Sequence, residues 1–392
     1  MKLAQRVTHM AGHGSDGWEI YYAARDLRAA GVQVINLTIG EHDVSTDPAI
    51  LGAMYESARA GNTGYTIGAG KPVLRRAIAE RVEARTGVRT RPENVIVTPG
   101  GQAALFAAHM VTLDAGCRGL YCDPYYATYP ATIRATGATD VAVPTLPENG
   151  FQPEPDAIAS LADNARTLLI NTPNNPTGVV YSRATLEGIA RVVLDRDLWL
   201  ISDEVYDTQI WSGEHLSPRT LPGMADRTIV IGSLSKSHAM TGSRIGWLVA
   251  PEEIVSAVAD LATNTTYGIP GFIMDAGLFA LGLGSDFEVR IGAPFRRRRQ
   301  IALDAFAGSN KFRLVPSGGA MFVMLDVRAT GLSGFDFASR LLEAERIAVM
   351  PGESFGSAAA GHVRIAMTVS DDAFRDALTR LLAFAETLTV TA

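Results

Sequence analysis

The chain has 392 residues, enough for one large domain and a smaller one at about 150 residues per domain. Hydrophobic residues make up 47% and charged residues 19%, which excludes a disordered or fibrous chain. The net charge of −6, with no basic arm, argues against nucleic acid as a partner.

Two cysteines, Cys117 and Cys122, are too few for a disulfide scaffold or a four-ligand zinc site. The N-terminus lacks an apolar leader, and no stretch approaches the ~20 apolar residues of a membrane span, so a cytoplasmic protein without a membrane partner is expected. In chain order, a helical pattern at 20–30 comes first. Short runs rich in Val, Ile and Leu then recur at 94–98, 119–122, 141–143, 167–171, 198–202, 228–232 and 245–250, which read as strands buried on both faces. Helical patterns at 103–113 and 184–195 separate some of them, the alternation that builds a parallel sheet. Further helices are expected at 295–307 and 372–388, with a strand at 320–325. The run Arg296, Arg297, Arg298 and Arg299 reads as a solvated helix face rather than an anion site. The fold class is α/β: a large domain over 46–290 with a mostly parallel seven-stranded sheet between helices, and a smaller α+β domain from 1–45 together with 291–392.

The chemistry concentrates at Ser233-Leu-Ser235-Lys236, with Arg244 eight residues beyond the lysine. On its own a Ser-x-Ser-Lys is a solvated loop. At the end of a buried strand, however, a lysine shielded from bulk water has a depressed pKa and forms Schiff bases with aldehydes. Ser233, Ser235 and Arg244 are suited to a phosphate dianion beside it. An aldehyde carrying a phosphate describes pyridoxal 5′-phosphate. Three segments strengthen that reading. Asn175, in a rigid Asn-Pro turn after a strand, offers an amide to a ring oxygen. Asp203 ends an apolar strand, where a carboxylate needs a cation such as a pyridinium, and Tyr206 follows it as a donor to the ring phenolate. Gly100, Gly101 and Gln102 lead from a strand into a helix, presenting backbone N–H groups to a phosphate.

With Asn-Pro-Thr-Gly, Asp-x-x-Tyr, Ser-x-Ser-Lys with Arg eight residues later, and a late Arg in that order, the chain resembles the class I pyridoxal-phosphate aminotransferases of the aspartate aminotransferase superfamily, fold type I. The resemblance implies that Lys236 carries the cofactor and shuttles the substrate α-proton. Asp203 would pair with the pyridinium, with Asn175 and Tyr206 on the ring oxygen. Tyr126, next to Tyr125, would stack on the ring, and the phosphate would meet Gly101, Gln102, Ser233, Ser235 and Arg244. Tyr65 matches a tyrosine that reaches the neighbouring subunit, implying a homodimer. Arg364 would hold the substrate α-carboxylate, under a segment containing Ile39 and Gly40. The competing readings are a core position for Tyr126 and a surface ion pair for Arg364. Structural roles are expected for His42 and His238.

The chain departs from the family where the substrate side chain would lie. Gln102 stands where one bacterial subgroup of aspartate aminotransferases has a lysine for the second carboxylate, and Glu41-His42-Asp43-Val44 replaces the usual Glu-Pro-Asp-Phe. Trp18 is a candidate aromatic wall. A neutral or aromatic donor is therefore weighed beside an aspartate-like one. The expected activity moves an amino group from an L-amino acid to a 2-oxo acid in two half-reactions. The alternatives are β-elimination by a C–S lyase on the same scaffold and a non-catalytic regulator that senses the cofactor.

Overall fold

A computed structural model describes residues 1–10, 18–309 and 311–388. The seven apolar runs form one sheet: β2 (Val95–Thr98), β3 (Arg118–Asp123), β4 (Thr139–Pro144), β5 (Ala165–Asn171), β6 (Trp199–Asp203), β7 (Thr228–Ser233) and β8 (Gly246–Val249), in the spatial order β2-β8-β7-β6-β5-β3-β4. All neighbouring pairs are parallel except those made by β8, which runs antiparallel to both β2 and β7. Alternate residues pack to opposite faces, Leu169, Ile201 and Ile229 into one apolar cluster and Leu168, Ile170 and Leu200 into another. Burial on both faces is why these runs are continuously apolar instead of alternating.

A second sheet has the order β1-β11-β12-β10-β9, from β1 (Ile35–Leu37), β9 (Arg313–Leu314), β10 (Phe322–Asp326), β11 (Ile347–Pro351) and β12 (His362–Ala366). Only the β1–β11 pair is parallel. Its strands come from the two ends of the chain, and their apolar residues join Phe295, Phe306, Phe374 and Leu381 in one cluster.

Two expectations change. The helix expected at 295–307 begins earlier and runs through Pro294, as Gly284–Phe306. The arginine run is not uniformly solvated: Arg298 is 4% exposed and pairs with Asp43 at 2.6 Å and Asp371 at 2.9 Å. Helical spacing sets Arg298 on the stripe of Phe295 and Ala302, both buried, so its charge is carried inward and requires those carboxylates. Among the described residues no helix is long and apolar enough to cross a membrane.

Candidate active site

The topology gathers the motifs at one sheet edge. β5, β6 and β7 are parallel neighbours in register, with Asn171 opposite Asp203 and Asp203 opposite Ile231, so the turn with Asn175, the acid and the lysine segment emerge side by side. β8 returns antiparallel between β7 and β2, with Gly246 opposite both Ser233 and Thr98, so the Arg244 loop meets the start of the helix Gly101–Thr112. The approach is close enough to demand glycine: a Cβ on Gly100, whose φ is +82°, would fall 2.2 Å from Arg244 Nη2. Together these ends border a cavity of about 350 Å³.

Lys236 sits in the four-residue helix Leu234–Ser237, whose cap is Ser233: Oγ accepts the Ser235 N–H at 3.0 Å. Its ammonium donates to the Gly40 carbonyl. Burial lowers its pKa to about 8; Glu41 opposes the shift, while Arg364 and Arg244 add to it. Ser233, Ser235, Arg244, Gly101 and Gln102 border the same cavity, where the helix start adds unpaired N–H groups and its positive dipole end. Gln102 is steadied by Thr128, whose Oγ1 donates to Oε1 at 3.0 Å.

Asp203 lies deeper. Tyr129 Oη donates to its Oδ2 at 2.7 Å and the Val205 N–H approaches Oδ1 at 3.3 Å. Burial raises its pKa to about 6 against the pull of those donors. Tyr126 borders the cavity, edge-on to Tyr129 at 5.8 Å, whereas Tyr125 packs against Tyr121 outside it, which separates the two candidates. Tyr206 is 4% exposed, with burial holding its phenol protonated, and it meets Phe322 edge-on.

Arg364 projects from β12 of the second sheet into the cavity. It is 2% exposed and lies between the rings of Phe322 and Phe355, each 4.3 Å away. Nη1 donates to Asn175 Oδ1 at 2.7 Å, Nη2 donates to the Thr38 carbonyl, and Nε has no partner. Burial lowers its pKa only to about 10, so it remains cationic at neutral pH. Among the described residues it has no ion pair, which rules out the surface pairing. A buried guanidinium without a counter-ion is costly, and an incoming carboxylate supplies one.

Trp18, Ile39 and Gly40 complete the rim with Glu41, which accepts from Thr241 Oγ1 at 2.9 Å. Tyr65 is outside the cavity, 93% exposed and edge-on to Tyr267. The two histidines do not border the cavity either. His238 stacks on Phe287 and hydrogen-bonds Ser237 and Ala280, while His42 packs edge-on against Phe295; burial lowers each to about 4, keeping the rings neutral. Sequence reasoning did not assign Tyr129, Phe322, Phe355 or Thr241. Tyr129 opens the helix Tyr129–Arg134, and the turn before it, in which its N–H donates to the Tyr126 carbonyl at 2.9 Å, brings the two tyrosines together.

Residues 32–381 match the family described as aminotransferase class I and II. The arginine–pyruvate transaminase of Pseudomonas aeruginosa is 40% identical over 382 residues, covering 97% of each chain. The aspartate/prephenate aminotransferase of Thermus thermophilus is 36% identical over 91% of this chain and 92% of its own. Among solved structures, a double mutant of Thermus thermophilus aspartate aminotransferase superposes with a TM-score of 0.92 at 35% identity, covering 99% of this chain and 100% of that one. The chain belongs to the class I and II aminotransferase family. It is a pyridoxal-phosphate-dependent enzyme that transfers amino groups between amino acids and 2-oxo acids.

Proposed function

We propose that the cavity between Lys236 and Arg364 is the site of both half-reactions. The observation that carries this reading is the pairing, in one cavity, of a buried amine lowered to about 8 with a buried guanidinium that has no counter-ion. The residues fit the cofactor. Gly101 and Gln102 N–H groups, Ser233, Ser235 and Arg244, which border one cavity, would cradle its phosphate, Asp203 would pair with the ring nitrogen, and Tyr126 would flank the ring. Bound there, the cofactor supplies an aldehyde carbon for the amine and an electron-withdrawing pyridinium. Tyr206 and Asn175 would hydrogen-bond the ring oxygen, and Asn175, which accepts from Arg364, would orient the guanidinium whose fork would take the α-carboxylate. The Lys236 Nζ then moves the proton taken from the α-carbon. Gly40, Ile39 and Trp18 cover the substrate.

For the donor, the cations bordering the cavity are Lys236, Arg244 and Arg364, each already engaged by a proposed role, and Gln102 is neutral. Among the described residues bordering the cavity no cation is left to hold a second carboxylate, which favours a neutral or aromatic donor over aspartate. The name of the 40%-identical relative adds arginine to the donors to try first, with pyruvate as acceptor. Tyr65, exposed beyond its own cavity, supports a homodimer in which it reaches the partner's phosphate. The free thiols of Cys117 and Cys122 accord with the cytoplasm.

The test is the visible spectrum of the holoenzyme after single additions of amino acids without oxo acid. Conversion to the amine form of the cofactor, with release of the matching 2-oxo acid, supports the reading and names the donor. Release of ammonia and pyruvate overturns it in favour of elimination.

A further inference from the structure

Behind the strand that carries Asp203 lies a second group of buried charges. β6 ends at Asp203 and the chain then turns, so that Asp203, Val205 and Tyr206 border the active-site cavity while Glu204 and Asp207 border a separate cavity of about 170 Å³. Glu204 is 7% exposed. Its Oε1 accepts from Ser202 Oγ at 2.9 Å and Ser217 Oγ at 2.8 Å, and its Oε2 from His215 Nε2 at 3.1 Å.

The charges around it come from every element packed there. Arg81 and Arg85, on the helix Pro72–Thr86, pair with Asp207 and with Glu288 of the helix Gly284–Phe306, at 2.9 to 3.4 Å. Arg219 donates to Thr90. Among the described residues the ion-pair partner of Glu204 is His215, and Arg219 interacts with its charge at longer range.

We propose that Glu204 is a positioning residue for amino transfer: its carboxylate acts through Asp203 to retain the proton shared by Asp203 and the cofactor ring nitrogen, and His215 sets the strength of that effect. The proposal rests on the reading that Asp203 faces that nitrogen. Two carboxylates on consecutive residues in a poorly polarisable interior each disfavour ionisation of the other and favour a cation or proton beside them. Glu204 accordingly adds to the burial that raises Asp203. With Nε2 donating to Glu204, the His215 Nδ1 is the atom left to take a proton; it is buried with no hydrogen-bond partner. Glu204 and Asp207 favour that proton, while burial and Arg85 oppose it. At low pH the protonated ring cancels the Glu204 charge. As pH rises and His215 loses its proton, that charge returns.

The experiment compares the affinity of the full-length apoprotein for pyridoxal phosphate and for its 1-deaza analogue, which has a ring C–H in place of the nitrogen. It also follows the Asp203 carboxyl by difference infrared titration against Asp203→Asn. At pH 8, Glu204→Gln is expected to reduce the preference for the natural cofactor three- to tenfold and to move the Asp203 titration down by about 0.5 to 1 pH unit, the same change in free energy. His215→Asn is expected to raise the preference more at pH 6 than at pH 8, and it supplies the test if Glu204→Gln does not fold. A folded Glu204→Gln with wild-type preference and titration overturns the proposal, as does a His215→Asn that matches wild type at pH 6. A wild type that binds both compounds alike refutes the Asp203 reading itself, a failure distinct from the other two.

Discussion

Arg364 Nη1 donates to Asn175 Oδ1 at 2.7 Å, a bond between residues 189 positions apart that joins β12 of the second sheet to the turn after β5 of the first. It aims the guanidinium into the cavity without neutralising it, because an amide oxygen carries no charge to cancel.

Replacing Arg364 by Lys should keep a cation but lose the bidentate fork and its stacking between Phe322 and Phe355. We expect kcat/KM to fall about 100-fold for every donor, since the second charge-assisted hydrogen bond, which lysine cannot supply, is worth about 1.5–3 kcal/mol. Steady-state kinetics with several amino acids checks this. A loss confined to one donor would instead place Arg364 at the side chain.

Asp203 gives a pH signature in the apoprotein. Its folded pKa of about 6 lies above the ordinary 3.8, so its contribution to stability is fully present below the ordinary value and is lost as pH rises through about 6. Asp203→Asn should therefore gain stability relative to wild type on going from pH 4 to pH 8, by up to about 3 kcal/mol. Denaturant melts of both apoproteins at the two pH values measure the difference.

Lys236, lowered to about 8 by burial, is half neutral at that pH. The rate at which apoprotein takes up pyridoxal phosphate should fall about tenfold per unit as pH drops below 8, because only the neutral amine attacks the aldehyde. Stopped-flow absorbance follows it. A flat rate between pH 6 and 8 contradicts the assignment of this amine.

Gln102→Lys places a cation at the cavity beside the helix start. Activity with aspartate should rise relative to alanine or phenylalanine by about tenfold or more, since a matched polar contact discriminates far more strongly than an extra methylene. No change in the ratio would remove Gln102 from the substrate pocket.

The sheet was legible because its strands are buried on both faces, which leaves unbroken apolar runs, and the site was legible where chemistry demands rare combinations, such as Lys236 between hydroxyls or Asp203 at an apolar strand end. Contacts that depend on distant packing were hidden. Phe322 and Phe355 carried no signal in the sequence; β10 and the turn after β11 bring them against Arg364. Arg298 read as solvated because Asp43 lies 255 positions away. Glu204 carried no signal of its own in the sequence, and only the structure shows that it and Asp203 border different cavities.

The most direct test of the central claim uses the scarcity of lysine: the chain has Lys2, Lys71, Lys236 and Lys311 alone. Borohydride reduction of the holoenzyme, followed by digestion and mass spectrometry, should find the pyridoxyl group on the peptide containing Lys236, near one per chain, and prior addition of a competent amino acid should prevent the labelling. Label on Lys71 or Lys311, or labelling indifferent to every amino acid, would contradict the claim that this cavity performs the transfer.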